Sequence, residues 1–245
     1  TSVAGGLADI GGFYLGTEYV TTNGLTARSI IAPATLTHRY SFRDAGSTIV
    51  DSVGGANGTV FPATGGFNNI TLDGERANFP GDATYVNAPY IALPAGLVSE
   101  HGDITLEIWG GQNQVKSWAR FFGAGSSDKG TDPHNAGNGL TEFHVAPVPG
   151  GGNSTRFEYR TNGVVNLLSG TTPFPTGSEQ HVVVVYSQAQ GVMKLYLNGV
   201  LEASDVTVAG RTLQAINDVN VWLGVSLWND PTLNGWINEI RIHEG

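Results

Sequence analysis

Hydrophobic and polar residues alternate along most of this chain in short runs with a period of two. Such alternation places one side of an extended segment against a core and the other toward solvent, which is typical of β-strands. Gly, Asn, Asp and Pro interrupt the runs, and helical periodicity is almost absent. The pattern predicts an antiparallel sandwich or jelly roll with no helix longer than a turn or two. The clearest strand predictions are Thr37–Arg43, Asn69–Asp73, Thr84–Leu93, Asp103–Gly110, Ala119–Ala124, Leu140–Val145, Thr155–Arg160, His181–Ser187, Gly191–Leu197, Asn220–Val225 and Trp236–His243.

The most specific local prediction is a three-stranded meander near residues 181–202. His181–Ser187 is a β-branched run that fits a central strand covered on both faces. Val192–Leu197 alternates and is followed by Asn198-Gly199, two residues that accept the positive φ angles of a tight hairpin turn. Val200–Glu202 is then the returning strand.

The first 34 residues have a different character, being rich in Gly and Thr and weakly patterned. We therefore divide the chain into an N-terminal arm or extra hairpin, residues 1–34, and a main domain, residues 35–245. A linker from a larger protein is an equal alternative for the arm. Its apolar residues should pack on their own domain, which needs no partner, or on a neighbouring subunit. These residues are Ile10, Phe13, Tyr14, Leu15, Tyr19 and Val20.

Composition narrows the class of protein. The formal net charge of −9 would repel a phosphate backbone, so nucleic acid is a poor partner. The absence of Cys excludes a disulfide framework and thiolate chemistry. Only 13% of the residues are charged, so Thr, Ser, Asn and Gly must cover the surface, as is common outside the cell. No apolar run reaches transmembrane length. We expect a secreted or cell-surface protein that does not insert into membranes.

Several motifs over residues 36–245 occur in the order found in LamG-like, concanavalin A-like domains. They are Leu36–Phe42, Asp51–Thr59, Leu72–Gly74, Thr84–Val86, Ile91–Pro94, Ile104–Trp109, Tyr196–Gly199 and Gly235–Ile242. The chain especially resembles such domains in exported bacterial proteins. This resemblance implies an all-β fold, a two-sheet antiparallel jelly-roll sandwich. It does not decide function, because this scaffold hosts lectins, adhesion modules, hydrolases and structural subunits.

Hydrolases of the laminarinase type on this fold carry three carboxylates at alternating positions of one strand. The best match here is Asp103 and Glu107, but the middle position is Thr105. The resemblance therefore indicates a protein that is not an enzyme. Glu107 is expected on an exposed strand face or in a pair with Arg120.

Two other sets of charged residues alternate on predicted strands. Glu142 and His144 share one face, as do Glu158 and Arg160, and such faces are most often solvated. The six histidines show no metal-binding spacing, so a zinc site is not expected.

A structural calcium ion is a further expectation, because domains of the resembling family often hold one between their first and last core strands. Asn238 stands where that family usually has Asp, with Asp44 and Asp51 as candidate partners. A second candidate is the oxygen-rich loop with Asp128 and Asp132. The alternative for each is that the side chain caps its own backbone in an Asx turn.

Aromatic residues near polar loops are candidates for binding sugars, whose flat C–H faces stack on Trp and Tyr rings. Trp228-Asn229-Asp230 combines a ring with groups that bind hydroxyls. Trp118 lies near polar loop residues, and Tyr159 lies on a strand with polar neighbours.

Two functions fit these observations. The first is a non-catalytic extracellular glycan-binding or adhesion module, with a polysaccharide or glycoconjugate as partner. The second is a structural subunit of a filament or surface layer, which would bind copies of itself through the N-terminal arm. A hydrolase would depend only on Asp103 and Glu107. Electron microscopy of the native protein separates the first two, because only the second forms filaments or sheets.

Overall fold

The computed structural model describes residues 34–245 and two short strands that precede them. The strands of the described residues, in chain order, are β1 Glu18–Val20, β2 Thr26–Arg28, β3 Thr35–Tyr40, β4 Thr48–Ile49, β5 Gly58–Phe61, β6 Thr71–Leu72, β7 Ala77–Pro80, β8 Tyr90–Leu93, β9 Asp103–Gln112, β10 Phe122–Ser127, β11 Gly139–Ala146, β12 Ser154–Thr161, β13 Val164–Pro173, β14 Gln180–Ser187, β15 Val192–Leu197, β16 Val200–Asp205, β17 Asn220–Leu223 and β18 Asn234–Glu244. Two 3₁₀ turns, Tyr85–Asn87 and Leu213–Ile216, are the helical elements of this part of the chain. None of its helices is long and apolar enough to cross a membrane.

Two antiparallel sheets form a sandwich. The front sheet has the strand order β13-β12-β11-β10-β17-β8-β5-β4. The back sheet has the order β16-β15-β14-β9-β18-β7-β6, and β3 also pairs with β18. Non-consecutive neighbours such as β9 and β18 require long connections between the sheets, which is typical of a jelly roll. The predicted all-β sandwich is confirmed.

The core lies between the sheets and follows from the alternation of side chains along each strand. Phe143, Phe157 and Tyr159 extend from the front sheet, and Leu106 and Ile108 extend from the back sheet. All are almost fully buried. Burying a large apolar side chain stabilises the fold by about 1.5–3 kcal/mol, so these inward faces dominate the packing.

The predicted meander is confirmed as β14-β15-β16. Asn198 and Gly199 have φ angles of 51° and 80°, as a two-residue turn of type I′ requires. The expectation that His181–Ser187 is covered on both faces is wrong, because Val183 and Val185 stay partly exposed. Within residues 34–245 no second layer covers this outward face, although β14 has a strand on each side.

The N-terminal strands β1 and β2 pair with each other in an antiparallel two-stranded sheet. Tyr19 and Val20 lie in β1, opposite Ala27 and Thr26. Ile10, Phe13, Tyr14 and Leu15 are outside the described residues. The packing of the arm and the division after residue 34 stay predictions.

Asp51 is a buried carboxylate that organises the turn between β4 and β5. Its oxygens lie 2.7–3.1 Å from five donor groups. These are the His38 ring and the backbone N–H groups of Arg39, Val53, Gly54 and Ala56. Burial alone would raise the pKa of Asp51, but these hydrogen bonds outweigh it and lower the pKa to about 2.

We predict that Asp51→Asn destabilises the protein by about 1–3 kcal/mol at pH 7, because an amide nitrogen would face buried backbone donors. The native carboxylate has a lower pKa than its ordinary 3.8, so its stabilisation is complete above pH 4 and is lost as the pH falls toward 2. Chemical denaturation at pH 7 and at pH 2–3 measures both effects. Asp44→Asn is the control, because Asp44 accepts one backbone hydrogen bond, from Val50. Equal stability of Asp51→Asn and wild type at pH 7 would contradict this account.

Candidate functional site

Charged side chains occupy the outer face of strands β11 and β12 in the front sheet. Because side chains alternate along a strand, Phe143 and Phe157 point into the core and their neighbours point the other way. The outward residues are Glu142 and His144 on β11, with Arg156, Glu158 and Arg160 on β12. The register sets Glu142 opposite Arg160 and His144 opposite Glu158. Cross-strand neighbours at this spacing interact directly.

Two loops add tryptophan walls to this face and form a cleft of about 210 Å³. Trp118 precedes β10, and Trp228 follows β17. Each ring lies close to a glycine: a Cβ at Gly150 would overlap Trp118 Nε1, and one at Gly139 would overlap Trp228 Nε1. Any larger residue at these glycines would push the rings away from the sheet. The cleft is lined by Trp118, Arg120, Glu142, His144, Glu158, Arg160, Trp228 and Asp230.

Glu142 is the deepest carboxylate of the cleft and is only 1% exposed. Arg120 Nη2 lies 3.2 Å from its Oε1, and Trp228 Nε1 donates to its Oε2 at 3.1 Å. Burial alone would raise the pKa of Glu142, but the charges of His144 and Arg120 and the hydrogen bond from Trp228 hold it well below its usual range. The carboxylate is therefore ionised throughout the physiological range.

Arg120 joins Glu142 to both loops. It is almost fully buried, and its Nη2 is also 3.3 Å from the Asp230 carboxylate. Its Nη1 donates to the backbone carbonyl of Trp118 at 2.5 Å. Ser226 donates to Asp230 at 2.7 Å. One guanidinium thus fixes the positions of both tryptophan loops relative to the sheet.

Glu158 lies between two arginines on the same face of β12. Arg160 Nη2 is 2.8 Å from its carboxylate and Arg156 Nη1 is 3.7 Å away. The guanidinium of Arg160 lies 5.3 Å from the Trp228 ring centre, and that of Arg156 lies 5.1 Å from the Trp118 ring centre. Cation–π contacts of this kind hold an arginine in a fixed orientation.

His144 lies in the middle of the cleft floor and is 1% exposed. Its Nδ1 is 3.0 Å from Glu142 Oε1, but neither ring nitrogen makes an aligned hydrogen bond to the described residues. Glu142, His144 and Glu158 offer ligand atoms within 4.8 Å of one another, so they are the residues of this region that could hold a metal ion. Each carboxylate is already paired with an arginine, and these positive charges oppose a cation.

The expectation that Glu142, His144, Glu158 and Arg160 form a solvated face is therefore wrong. The two tryptophan loops cover them, and Glu142, His144 and Glu158 are buried. The alternation of charged residues on two predicted strands was a usable signal. What covers those strands could not be predicted from them, because Trp118 and Trp228 come from distant parts of the chain.

The structure brings together three of the predicted sugar-binding residues, Trp118, Trp228 and Asp230, in one cleft. Asn229 is exposed, and its Oδ1 accepts a hydrogen bond from the backbone N–H of Gly137. The assignment of Tyr159 is wrong. Its ring is fully buried in the core, and its hydroxyl donates to the carbonyl of Thr212 at 2.7 Å.

The carboxylates considered for a hydrolase lie on the back sheet, away from this cleft. The expected pair between Glu107 and Arg120 does not form. Glu107 instead lies 2.9 Å from His181 Nε2 and 2.8 Å from His243 Nε2. Asp103 accepts hydrogen bonds from Ser187 and from the backbone of Ala189. Both act as local structural partners.

The candidate calcium ligands of the first and last core strands have separate protein partners. Asp44 caps Val50, and Asp51 accepts the hydrogen bonds described above. The amide of Asn238 donates to Glu179 at 3.1 Å. The contacts of Asp44 and Asp51 agree with the capping alternative, whereas Asn238 pairs with a side chain of another segment. A calcium ion at this place stays a prediction, which a fall in melting temperature on chelation would support.

In the loop after β10, Lys129 donates hydrogen bonds to carbonyl oxygens that could otherwise bind a metal ion. Lys129 Nζ donates to the carbonyls of Pro133 and Trp228 at 3.1 and 2.8 Å. Burial lowers the pKa of Lys129 to about 8. Asp128 accepts from the backbone of Asn138, and Asp132 caps His134. These two aspartates therefore stabilise the loop itself.

Solved structures with the same architecture include domains of carbohydrate-active proteins and the binding domains of botulinum neurotoxins. Domain 4 of the extracellular arabinanase AbnA from Geobacillus stearothermophilus, solved with arabinotriose, is 25% identical with a TM-score of 0.63, over 86% of this chain and 93% of that one. The sialidase of Trypanosoma rangeli is 16% identical with a TM-score of 0.56, over 92% of this chain and 33% of that one. The latter likeness shows the fold alone.

The sequence itself also matches a known family. No curated protein matches the chain significantly. The family model for the concanavalin A-like lectin/glucanases superfamily matches residues 85–245, which include the cleft and most of both sheets. This match covers well over half of the sequence, and it agrees with the topology of the two sheets. The chain therefore belongs to the concanavalin A-like lectin/glucanase superfamily.

Proposed function

We propose that this chain is a non-catalytic glycan-binding module of an extracellular protein, and that the cleft on the front sheet is its binding site. The observation that carries the proposal is the combination of two partly exposed tryptophan walls with a floor of fixed charged groups. Ligand sites generally combine apolar walls with a few well-placed polar groups.

The chemistry of the cleft suits a sugar. The rings of Trp118 and Trp228 offer flat apolar faces for the C–H surfaces of a pyranose or furanose. Asp230 and His144 offer polar atoms for hydroxyl groups, and the Nε2 atom of His144 has no partner among the described residues. A buried polar atom without a partner costs about 1–3 kcal/mol, so a ligand hydroxyl there gains binding energy.

The likeness to the arabinanase domain supports the same function. That domain was solved with a bound oligosaccharide, and the two chains align over nearly their full lengths. The enzyme that contains it is extracellular, which fits the low charge content here. The identity of the sugar does not transfer from this comparison.

The electrostatics of the cleft support binding without cleavage. Glycoside hydrolases need one carboxyl group that is protonated near neutral pH so that it can act as general acid. The pKa of Glu142 is held well below its usual range, which is the opposite of that requirement. Glu158 is held in an ion pair with Arg160, whose Nη2 lies 2.8 Å from its carboxylate.

We predict that Trp228→Ala weakens polysaccharide binding at least about tenfold, equivalent to ~1.4 kcal/mol, because the stacking wall is lost. Trp228→Phe should retain more affinity, since it keeps a ring and loses the donor to Glu142. Affinity electrophoresis against soluble polysaccharides identifies ligands, and calorimetry measures the affinities. The matched control is Trp109→Ala, which removes a ring stacked on His181 in the back sheet. Equal losses in the Trp109 and Trp228 variants would contradict a site in the cleft.

We also predict no glycoside hydrolase activity. Wild-type protein should release no reducing ends from any polysaccharide that it binds, and Glu107→Gln should leave binding unchanged because Glu107 lies on the back sheet. A reducing-sugar assay over a day with a micromolar concentration of protein measures this. Release of reducing ends by wild type, abolished in Glu142→Gln or Glu158→Gln, would show that the module is catalytic.

A further inference from the structure

The acidic and basic side chains of the cleft are not equally accessible to a ligand. The carboxylates of Glu142 and Glu158 are only 1% and 4% exposed, whereas Arg156 and Arg160 are 20% and 27% exposed. The two carboxylates are buried, whereas the arginine side chains stay partly exposed, as does Asp230 at 22%. A ligand that approaches β12 therefore contacts arginine side chains before Glu158, although the whole chain carries −9.

The charges are also distributed unevenly along the cleft. At the β12 end, Arg160 in the cleft and Arg156 beside the cleft share one carboxylate, Glu158. At the loop end, Glu142 and Asp230 share one guanidinium, Arg120. The first end has an excess of positive charge and the second an excess of negative charge. One arginine would suffice to neutralise Glu158, so Arg156, which lies 3.7 Å from Glu158 and also donates to Ser169, adds a second positive charge.

The two arginines at the positive end use only some of their donors on protein groups and stay partly exposed. Arg160 Nη2 donates to Glu158 and Arg156 Nη2 donates to Ser169 Oγ at 3.3 Å, whereas the two Nε atoms are buried and are not accessible to a ligand. Each guanidinium is held against a tryptophan ring and beside Glu158, so its remaining N–H groups are fixed in direction. Planar guanidinium groups with free N–H edges match the two oxygens of a carboxylate.

We propose that the cleft binds an acidic glycan, and that Arg156 and Arg160 recognise the carboxylate of a uronic acid-type residue. The hydroxyl groups of the sugar then lie toward Asp230 at the other end. This inference rests on the proposed function and specifies its ligand class. A metal ion is a poorer occupant, because it would approach past the positive charges of two partly exposed arginines.

The experiment compares a charged polysaccharide with its neutral ester and with an unrelated neutral polysaccharide. Sodium polygalacturonate and its highly methyl-esterified form share a backbone, and arabinan is a neutral polysaccharide of a different kind. Affinity electrophoresis and calorimetry at 20 and 300 mM NaCl should show binding to polygalacturonate that weakens with salt, and at least about tenfold weaker binding to the ester.

Two variants test the arginines separately. Arg156→Gln leaves the 2.8 Å Arg160–Glu158 pair intact, so it should fold normally and lose affinity for polygalacturonate at least about fivefold. Arg160→Gln should lose more, and its melting temperature reports any structural damage. Arg43→Gln is the control, because this exposed arginine lies beside Trp109 on the back sheet. Its affinity should equal that of wild type.

Each outcome separates the two proposals. Equal binding to polygalacturonate and to its ester, or binding to arabinan alone, would overturn the acidic-glycan inference and leave glycan binding standing. Absence of binding to all three would overturn the inference, and absence across a wider panel of polysaccharides would overturn the proposed function also. Equal losses in Arg43→Gln and Arg156→Gln would show that only the general charge matters.

Discussion

The buried carboxylate of Glu142 is the point on which the cleft depends. An ionised carboxylate away from water costs several kcal/mol unless it is paired and hydrogen-bonded. Arg120 and Trp228 supply those partners from two loops far apart in sequence. Arg120 also binds the Trp118 carbonyl and Asp230. With Glu142 buried on the outer face of β11, its need for partners therefore determines where the two tryptophan loops lie.

The architecture could be predicted from the sequence because its signals are local. Alternation with a period of two identified most strands, and Asn198-Gly199 fixed the turn between β15 and β16. The ordered motifs of residues 36–245 added the jelly-roll topology. The ten-residue strand β13, Val164–Pro173, was not predicted. It lies at the edge of the front sheet, and only its first half, which includes the buried Leu168, has large apolar side chains, because its second half is Ser, Gly, Thr, Thr and Pro.

The candidate site was predictable only in part. The loop setting of Trp118, Trp228 and Asp230 identifies them as candidates. The charged floor on β11 and β12 cannot be identified in the same way, because covered and solvated strand faces have the same alternation of residues. The error at Tyr159 was avoidable. Its neighbours Glu158 and Arg160 are polar, and on a strand this places Tyr159 on the opposite face, in the core. Glu142 is buried partly by Trp228, which lies 86 positions away in the sequence, and a local sequence pattern cannot predict such a contact.

The ionic network of the cleft is better explained by binding than by stability. Buried ion pairs often stabilise a fold no more than apolar side chains of the same volume, because desolvation offsets their attraction. The sandwich already has a continuous apolar core between its sheets, on the other side of β11 and β12. Removing the charges from the outer face would leave that core intact. The network orients the side chains: it holds two guanidinium groups and two tryptophan rings in one arrangement in the absence of a ligand. Side chains that are already ordered lose less conformational entropy on binding than flexible ones, and the affinity is correspondingly higher.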